Sequence, residues 1–163
     1  MQIEETTQGR FIVRVYGFLI NSRKEILIAY EYHFDRPMVK LPGGGLQFGE
    51  GPYDAIRREL VEELEFKIDG GVQFHTTDFF ARSAFNDKHQ LLGIYYLIDS
   101  DAQLEEMFRT PVVHPEVNGG LDFRWVGMEE LKTLQLTFPT DRQALQKFIQ
   151  YVEGGLIRWP EKI

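Results

Sequence analysis

The chain has 163 residues, 43% hydrophobic and 26% charged, a composition that fits a single globular domain over residues 1–163 and excludes collagen-like, mucin-like and wholly disordered chains. Eighteen basic residues against 25 acidic ones leave a net charge of -7, which repels phosphate backbones, so no nucleic-acid polymer is expected as a partner. There is no cysteine, hence no disulfide, no thiolate nucleophile and no Cys-based zinc site.

The first residues carry Glu4 and Glu5 without an apolar core, unlike a signal peptide, and no apolar run nears the ~20 residues of a membrane span. A cytoplasmic protein with no membrane contact is the expectation. Arg10 to Ile20 reads as a strand rich in β-branched and aromatic residues, Asn21 to Lys24 as a turn, and Glu25 to Phe34 as a second strand. Together they predict a hairpin. Met38 to Leu41 is a short extended piece before Pro42, and Gly43, Gly44, Gly45 and Gly49 make a glycine-dense loop.

Pro52 to Leu64 is the clearest helix of the first half. Pro52 suits its first turn, and Ile56, Leu60 and Leu64 form an apolar stripe. Val72 to Arg82 and Gln90 to Ile98 read as strands, Asp99 to Gly120 as a long loop, Leu121 to Val126 as a late strand and Met128 to Leu134 as a short helix. In the last helix Thr140 and Gln143 have capping-box spacing. Leu145, Phe148, Ile149 and Val152 share a face, and Gly154 and Gly155 end it. The order predicts an α+β fold, a mixed sheet packed between helices.

Chemistry concentrates in Leu41-Pro42-Gly43-Gly44-Gly45 and the helix that follows. Glu59 lies beside both Glu62 and Glu63 on a helix surface, where like charges repel by roughly 0.2–0.5 kcal/mol per pair. Glu59 and Glu63 border the apolar stripe, where ionisation costs more unless something positive compensates. Arg58 can pair with Glu62 but cannot neutralise the cluster; a hard divalent cation would. The glycines let backbone approach a phosphate or a metal closely. Taken singly, acidic runs are usually solvated surface and glycine clusters usually loops; their direct succession is what points to a site. No Lys-Ser/Thr follows Gly49, so this is not a P-loop.

Gly44, five residues, Glu50, seven residues, Arg58-Glu59-Leu60, one residue, Glu62-Glu63 resembles the Nudix box of the Nudix hydrolases. The box runs from Gly44 to Phe66, and this chain departs from it at one position, with Glu65 in place of the usual glycine. A left-handed Glu65 would cost about 1 kcal/mol. The alternative to that cost is a helix that runs on a little, with Gly70 and Gly71 supplying the turn.

The resemblance implies an αβα sandwich. It also implies cleavage of the diphosphate linkage of a nucleoside diphosphate derivative (a nucleotide sugar, dinucleotide or nucleoside triphosphate) by water attack at phosphorus. Mg²⁺ or Mn²⁺ assists. Glu59 and Glu63 are then metal ligands, Glu62 is a ligand or holds metal-bound water, and the Gly43 carbonyl completes the site. Glu50 and Arg58 form the structural pair of the box, with Arg58 orienting a motif glutamate. The base is Glu59 or a later loop acid, with Glu116 ahead of Asp122 and Glu106.

Gly44, Gly45 and Arg82 are candidate substrate contacts. Tyr30, Tyr32 and Phe34 share a strand face, and Phe80 and Phe85 flank Arg82; core packing is the commoner role for such rings. Lys88 and His89 could touch a phosphate. His33, His75, His89 and His114 show no ligand spacing. The competing reading is a non-catalytic nucleotide-sensing module on the same fold. The isomerase branch of the fold relies on a cysteine that is absent here. A homodimer is compatible with the resemblance, although no sequence feature decides it.

Overall fold

The computed structural model describes residues 9–109 and 115–157; Glu4, Glu5 and His114 lie outside them. The strands are β1 (Arg10–Ile20), β2 (Glu25–His33), β3 (Arg36–Lys40), β4 (Gly43–Gly45), β5 (Val72–Thr76), β6 (Ala81–Arg82), β7 (His89–Asp99) and β8 (Gly120–Gly127). The helices are α1 (Pro52–Leu64), α2 (Ala102–Glu106), α3 (Met128–Leu131) and α4 (Pro139–Glu153).

The strands form one mixed sheet, ordered β3-β2-β1-β7-β5, with β4 on β1, β6 on β7 and β8 on β2. β1 runs parallel to β7 along its whole length, and the other pairings are antiparallel. The expected hairpin shrinks to a single β1–β2 pair, Ile20 with Ile26. Beyond it the two strands splay, because β2 turns its edges to β8 and β3. The chain then crosses the split. β3 pairs with β2 as far as Lys40, and after Leu41-Pro42 the glycines pair with β1. The expected glycine loop is therefore partly a strand, whose pairing comes from β1 rather than from any propensity of glycine.

Side-chain alternation along β1 feeds two cores. Val15 and Leu19 pack with Ile56, Leu60 and Leu64 of α1, while Tyr16, Phe18 and Ile20 pack with Leu145 and Phe148 of α4. Phe18 stacks on Phe148 with ring centres 4.7 Å apart. This is the expected αβα sandwich.

Three further expectations change in detail. Val72 to Arg82 divides into β5 and β6. The long loop contains α2, capped by the Asp101 carboxylate on the Leu104 N–H. The α4 capping box does not form: Pro139 starts the helix after Phe138, and Gln143 bonds His75 and Asp78 instead. At its end α1 does not run on. Glu65 takes the left-handed conformation at φ 54°, its N–H bonds the Val61 carbonyl, and the next N–H reaches back to Leu60. Burial of Phe66 directly after the turn holds Glu65 there.

Glu65→Gly relieves that conformation and should raise unfolding stability by about 1 kcal/mol in denaturant titrations. Asp141, fully buried on α4, accepts from the Tyr95 hydroxyl at 2.8 Å and faces the Leu41 N–H at 3.4 Å. Burial pushes its carboxyl up to about 6, against the opposing pull of those bonds. The folded state therefore holds this proton more tightly than the unfolded chain does. Its contribution to stability is full below about pH 4 and is lost as pH rises through about 6, a swing of about 3 kcal/mol. The stability of Asp141→Asn relative to wild type should rise by that amount over this window, and a pH-independent difference would refute the assignment.

Candidate active site

α1 lies against β4, and glycine makes the approach possible. A Cβ on Gly43 (φ +135°) would stand 2.1 Å from the Val15 carbonyl oxygen. A Cβ on Gly44 would stand 2.3–2.4 Å from the Glu59 carboxylate atoms. That carboxylate occupies the space of the missing side chain. One turn on, Glu63 accepts the Gly43 N–H at 3.0 Å. The helix thus sets two largely buried carboxylates against the backbone of the glycine strand.

Arg58 ties the segment together. It makes two bonds to Glu50, at 2.7 and 3.1 Å, one to Glu59 at 2.8 Å and one to the Gly45 carbonyl at 2.9 Å. Glu50 also accepts the Gln47 N–H, and its carboxyl is held below the usual range, chiefly by Arg58. Glu62 stands apart from Glu59 and Glu63: it reaches Arg58 at 3.3 Å and is more than half exposed. Among the described residues no three Asp, Glu or His side chains form a ready metal cage.

Lys40 was not singled out from sequence. It is buried, 2.8 Å from Glu31 and 3.9 Å from Glu63. A lone lysine inside the apolar stretch Met38 to Leu41 was the available signal. Burial pushes the Glu63 carboxyl up to about 7 even though Lys40 and the Gly43 N–H draw it down, and Glu59 and Glu31 add to the rise. Lys40 and the Gly43 N–H only partly offset the cost of burying this carboxylate.

A cavity of about 290 Å³ opens where β1 splays from β2 and β3. Ile12, Tyr16, Met38, Phe85 and Phe138 supply apolar walls, and Arg14, Glu31 and Lys40 its charges. Phe34 and Phe85 meet there with ring centres 4.9 Å apart, and both are substantially exposed. Tyr30 instead lies in the α4-side core.

Arg82 sits on β6 with its guanidinium 5.9 Å from the Phe80 ring centre and does not line this cavity. Glu116 is exposed and makes no described ion pair, Asp122 caps the following N–H, and Glu106 pairs with Arg109. His33 lines the cavity, His75 bonds Gln143, and Lys88 and His89 lie at a separate surface hollow.

The family profile described as NUDIX domain matches residues 10–148. The chain belongs to the Nudix family. With that family comes the assignment of a hydrolase. No curated protein matches the chain.

Among solved structures it is similar to the MutT protein studied from Aliivibrio salmonicida and Vibrio cholerae, at 22% identity over 90% of this chain and 99% of that one, TM-score 0.60. It is similar to a MutT protein from Methanosarcina mazei, at 16% identity over 90% and 98%, TM-score 0.64. It also resembles the NUDIX domain of Shewanella oneidensis NrtR in complex with ADP ribose, at 13% identity over 96% and 94%, TM-score 0.55. These likenesses establish the Nudix fold. Among the described residues no helix is long and apolar enough to cross a membrane.

Gly44→Ala should displace the Glu59 carboxylate and lengthen its 2.8 Å contact with Arg58. A crystal structure of the variant would read this directly. The melting temperature should fall, since a methyl group forced into a filled space costs about 1–3 kcal/mol.

Proposed function

We propose that this chain is a divalent-metal-dependent Nudix hydrolase that cleaves the diphosphate linkage of a nucleoside diphosphate derivative by water attack at phosphorus. The observation that carries this reading is the pair of buried carboxylates, Glu59 and Glu63, held against the glycine strand beside a cavity of nucleobase scale.

The donor set fits a hard cation such as Mg²⁺ or Mn²⁺. Both carboxylates are oxygen donors, largely buried and drawn together on the glycine strand, Glu59 filling the space beside Gly44 and Glu63 accepting the Gly43 N–H. Glu59 and Glu63 would hold the ion, with Glu62 and the Gly43 carbonyl as further donors. When bound, such an ion screens phosphate charge and acidifies coordinated water.

The chain's own residues do the rest. Arg58, fixed by Glu50, orients Glu59 and keeps α1 docked on Gly45. Lys40 and the Gly43 N–H fix the Glu63 carboxylate from two directions. Gly45, whose missing side chain faces open space, lets a phosphate approach the backbone closely, whereas the space beside Gly44 is taken by the Glu59 carboxylate. The base is Glu59 or a loop acid such as Glu116.

The test is incubation with Mg²⁺ or Mn²⁺ and a panel of nucleotide sugars, dinucleotides and nucleoside triphosphates, with phosphate release as readout. Glu59→Gln and Glu63→Gln should each lower turnover about 100-fold or more while the fold persists, and chelation should abolish it. Full activity in both variants would refute the assignment. Tight binding without turnover under either metal would favour the sensing module instead, a reading to which the ADP ribose complex of the NrtR domain lends weight.

A further inference from the structure

Arg14 stands between the two halves of the site. Its Cα pairs with Gly45 on β4, next to Gly44, whose missing side chain is replaced by the Glu59 carboxylate. Its side chain lines the cavity together with Ile12 and Tyr16, the residues two before and two after it on β1. The Arg14 Nε–H donates to the Tyr16 hydroxyl at 2.6 Å, and the guanidinium carbon lies 5.6 Å from the Tyr16 ring centre.

Among the described residues no carboxylate forms an ion pair with Arg14, and its two terminal nitrogens make no hydrogen bond. The rest of its donor fork is thus unspent. The contrast with the other cations is direct. Arg58 commits its fork to Glu50, Glu59 and Gly45, and Lys40 is tied to Glu31.

A planar guanidinium with free N–H groups is matched to an oxyanion. Of the lysine and arginine side chains that line the cavity, Lys40 is engaged by Glu31 and Glu63, and Arg14 keeps donors for an anionic ligand. We propose that Arg14 grips a phosphate oxygen of the substrate at the junction between the cavity and the Glu59–Glu63 pair, an assignment that rests on the hydrolase reading above. A ligand whose ring fills the apolar cavity and whose phosphates reach those carboxylates passes the Arg14 fork. The bond to Tyr16 fixes the plane of the fork before the ligand arrives, which lowers the ordering cost of binding. Arg14 is a binding and positioning residue, because a guanidinium does not give up its proton.

The test is equilibrium binding of ADP, GDP, CDP and UDP, and of the four free nucleosides, to wild type, Arg14→Gln and Arg14→Lys, with Ca²⁺ replacing Mg²⁺ to suppress turnover. Arg14→Gln should weaken every diphosphate by about 10- to 100-fold and leave the nucleosides unchanged. Arg14→Lys should recover part of the loss. Equal binding by wild type and Arg14→Gln overturns the assignment. Equal weakening of nucleosides and diphosphates also overturns it, and makes Arg14 a base contact. If Arg14→Gln fails to fold, Arg14→Lys carries the same comparison, with a smaller loss confined to the diphosphates. A wild type that consumes the substrate panel while Arg14→Gln binds normally sinks only the Arg14 role. A wild type that binds no diphosphate and consumes nothing sinks both readings.

Discussion

The site depends on one close approach of main chain to main chain. At Leu41-Pro42-Gly43 the polypeptide leaves the edge of β2 and joins the edge of β1. There is no room at Gly43 for a side chain, since a Cβ would collide with the Val15 carbonyl. The conformation at φ +135° would also strain any L-residue with a side chain. With no side chains on β4, α1 can approach closely enough for its carboxylates to meet the strand's backbone. The same crossing keeps β1 and β2 apart, and that separation is the cavity. The acidic pair and the cavity are two consequences of a single local geometry.

The price of this arrangement is electrostatic. Glu59 with Glu62 and Glu63 one turn on would cost only a few tenths of a kcal/mol per pair at an exposed helix surface. Burial makes the cost larger, and for Glu63 it shows as a carboxyl pushed up to about 7. Arg58 offsets Glu59 and Glu50, but Glu63 has only a lysine at 3.9 Å and one backbone N–H. Stability comes from elsewhere, from the two apolar cores on either side of the sheet. A fold that keeps under-compensated carboxylates while its cores are well filled is one in which local stability has yielded to binding chemistry.

Legibility in the sequence followed the range of the forces involved. The start and body of α1 were readable because a proline start and a stripe of Ile56, Leu60 and Leu64 are local signals. The αβα layering was readable from element order. β4 read as a loop because glycine has no strand propensity and its partner lies some thirty residues upstream. The hairpin was overextended because nothing local says that β8, near the far end of the chain, will take an edge of β2. Glu65 left the end of α1 open between two outcomes, and burial of Phe66 outweighs the cost of a left-handed glutamate. Thr140 and Gln143 had the spacing of a cap, but Gln143 was already engaged by His75 and Asp78 across the sheet.

The same logic separates the two halves of the site. The carboxylates and glycines lie within one stretch of chain and form a recognisable spacing. The cavity takes Arg14 from β1, Glu31 from β2, Lys40 from β3 and Phe85 from the segment before β7, so no window of sequence contains it. Arg82 lies between Phe80 and Phe85 in the chain, whereas no local pattern marks Arg14 as part of the cavity. Arg14, His33, Phe34 and Phe85 also belong to neither apolar core. Residues at those positions can change without unpacking the sheet, whereas a side chain at Gly43 would collide with the β1 backbone and one at Gly44 would displace the Glu59 carboxylate of α1. The cavity lining can therefore vary while the carboxylate geometry stays constrained, and a lining assembled from several separated stretches of chain is what a single sequence displays least.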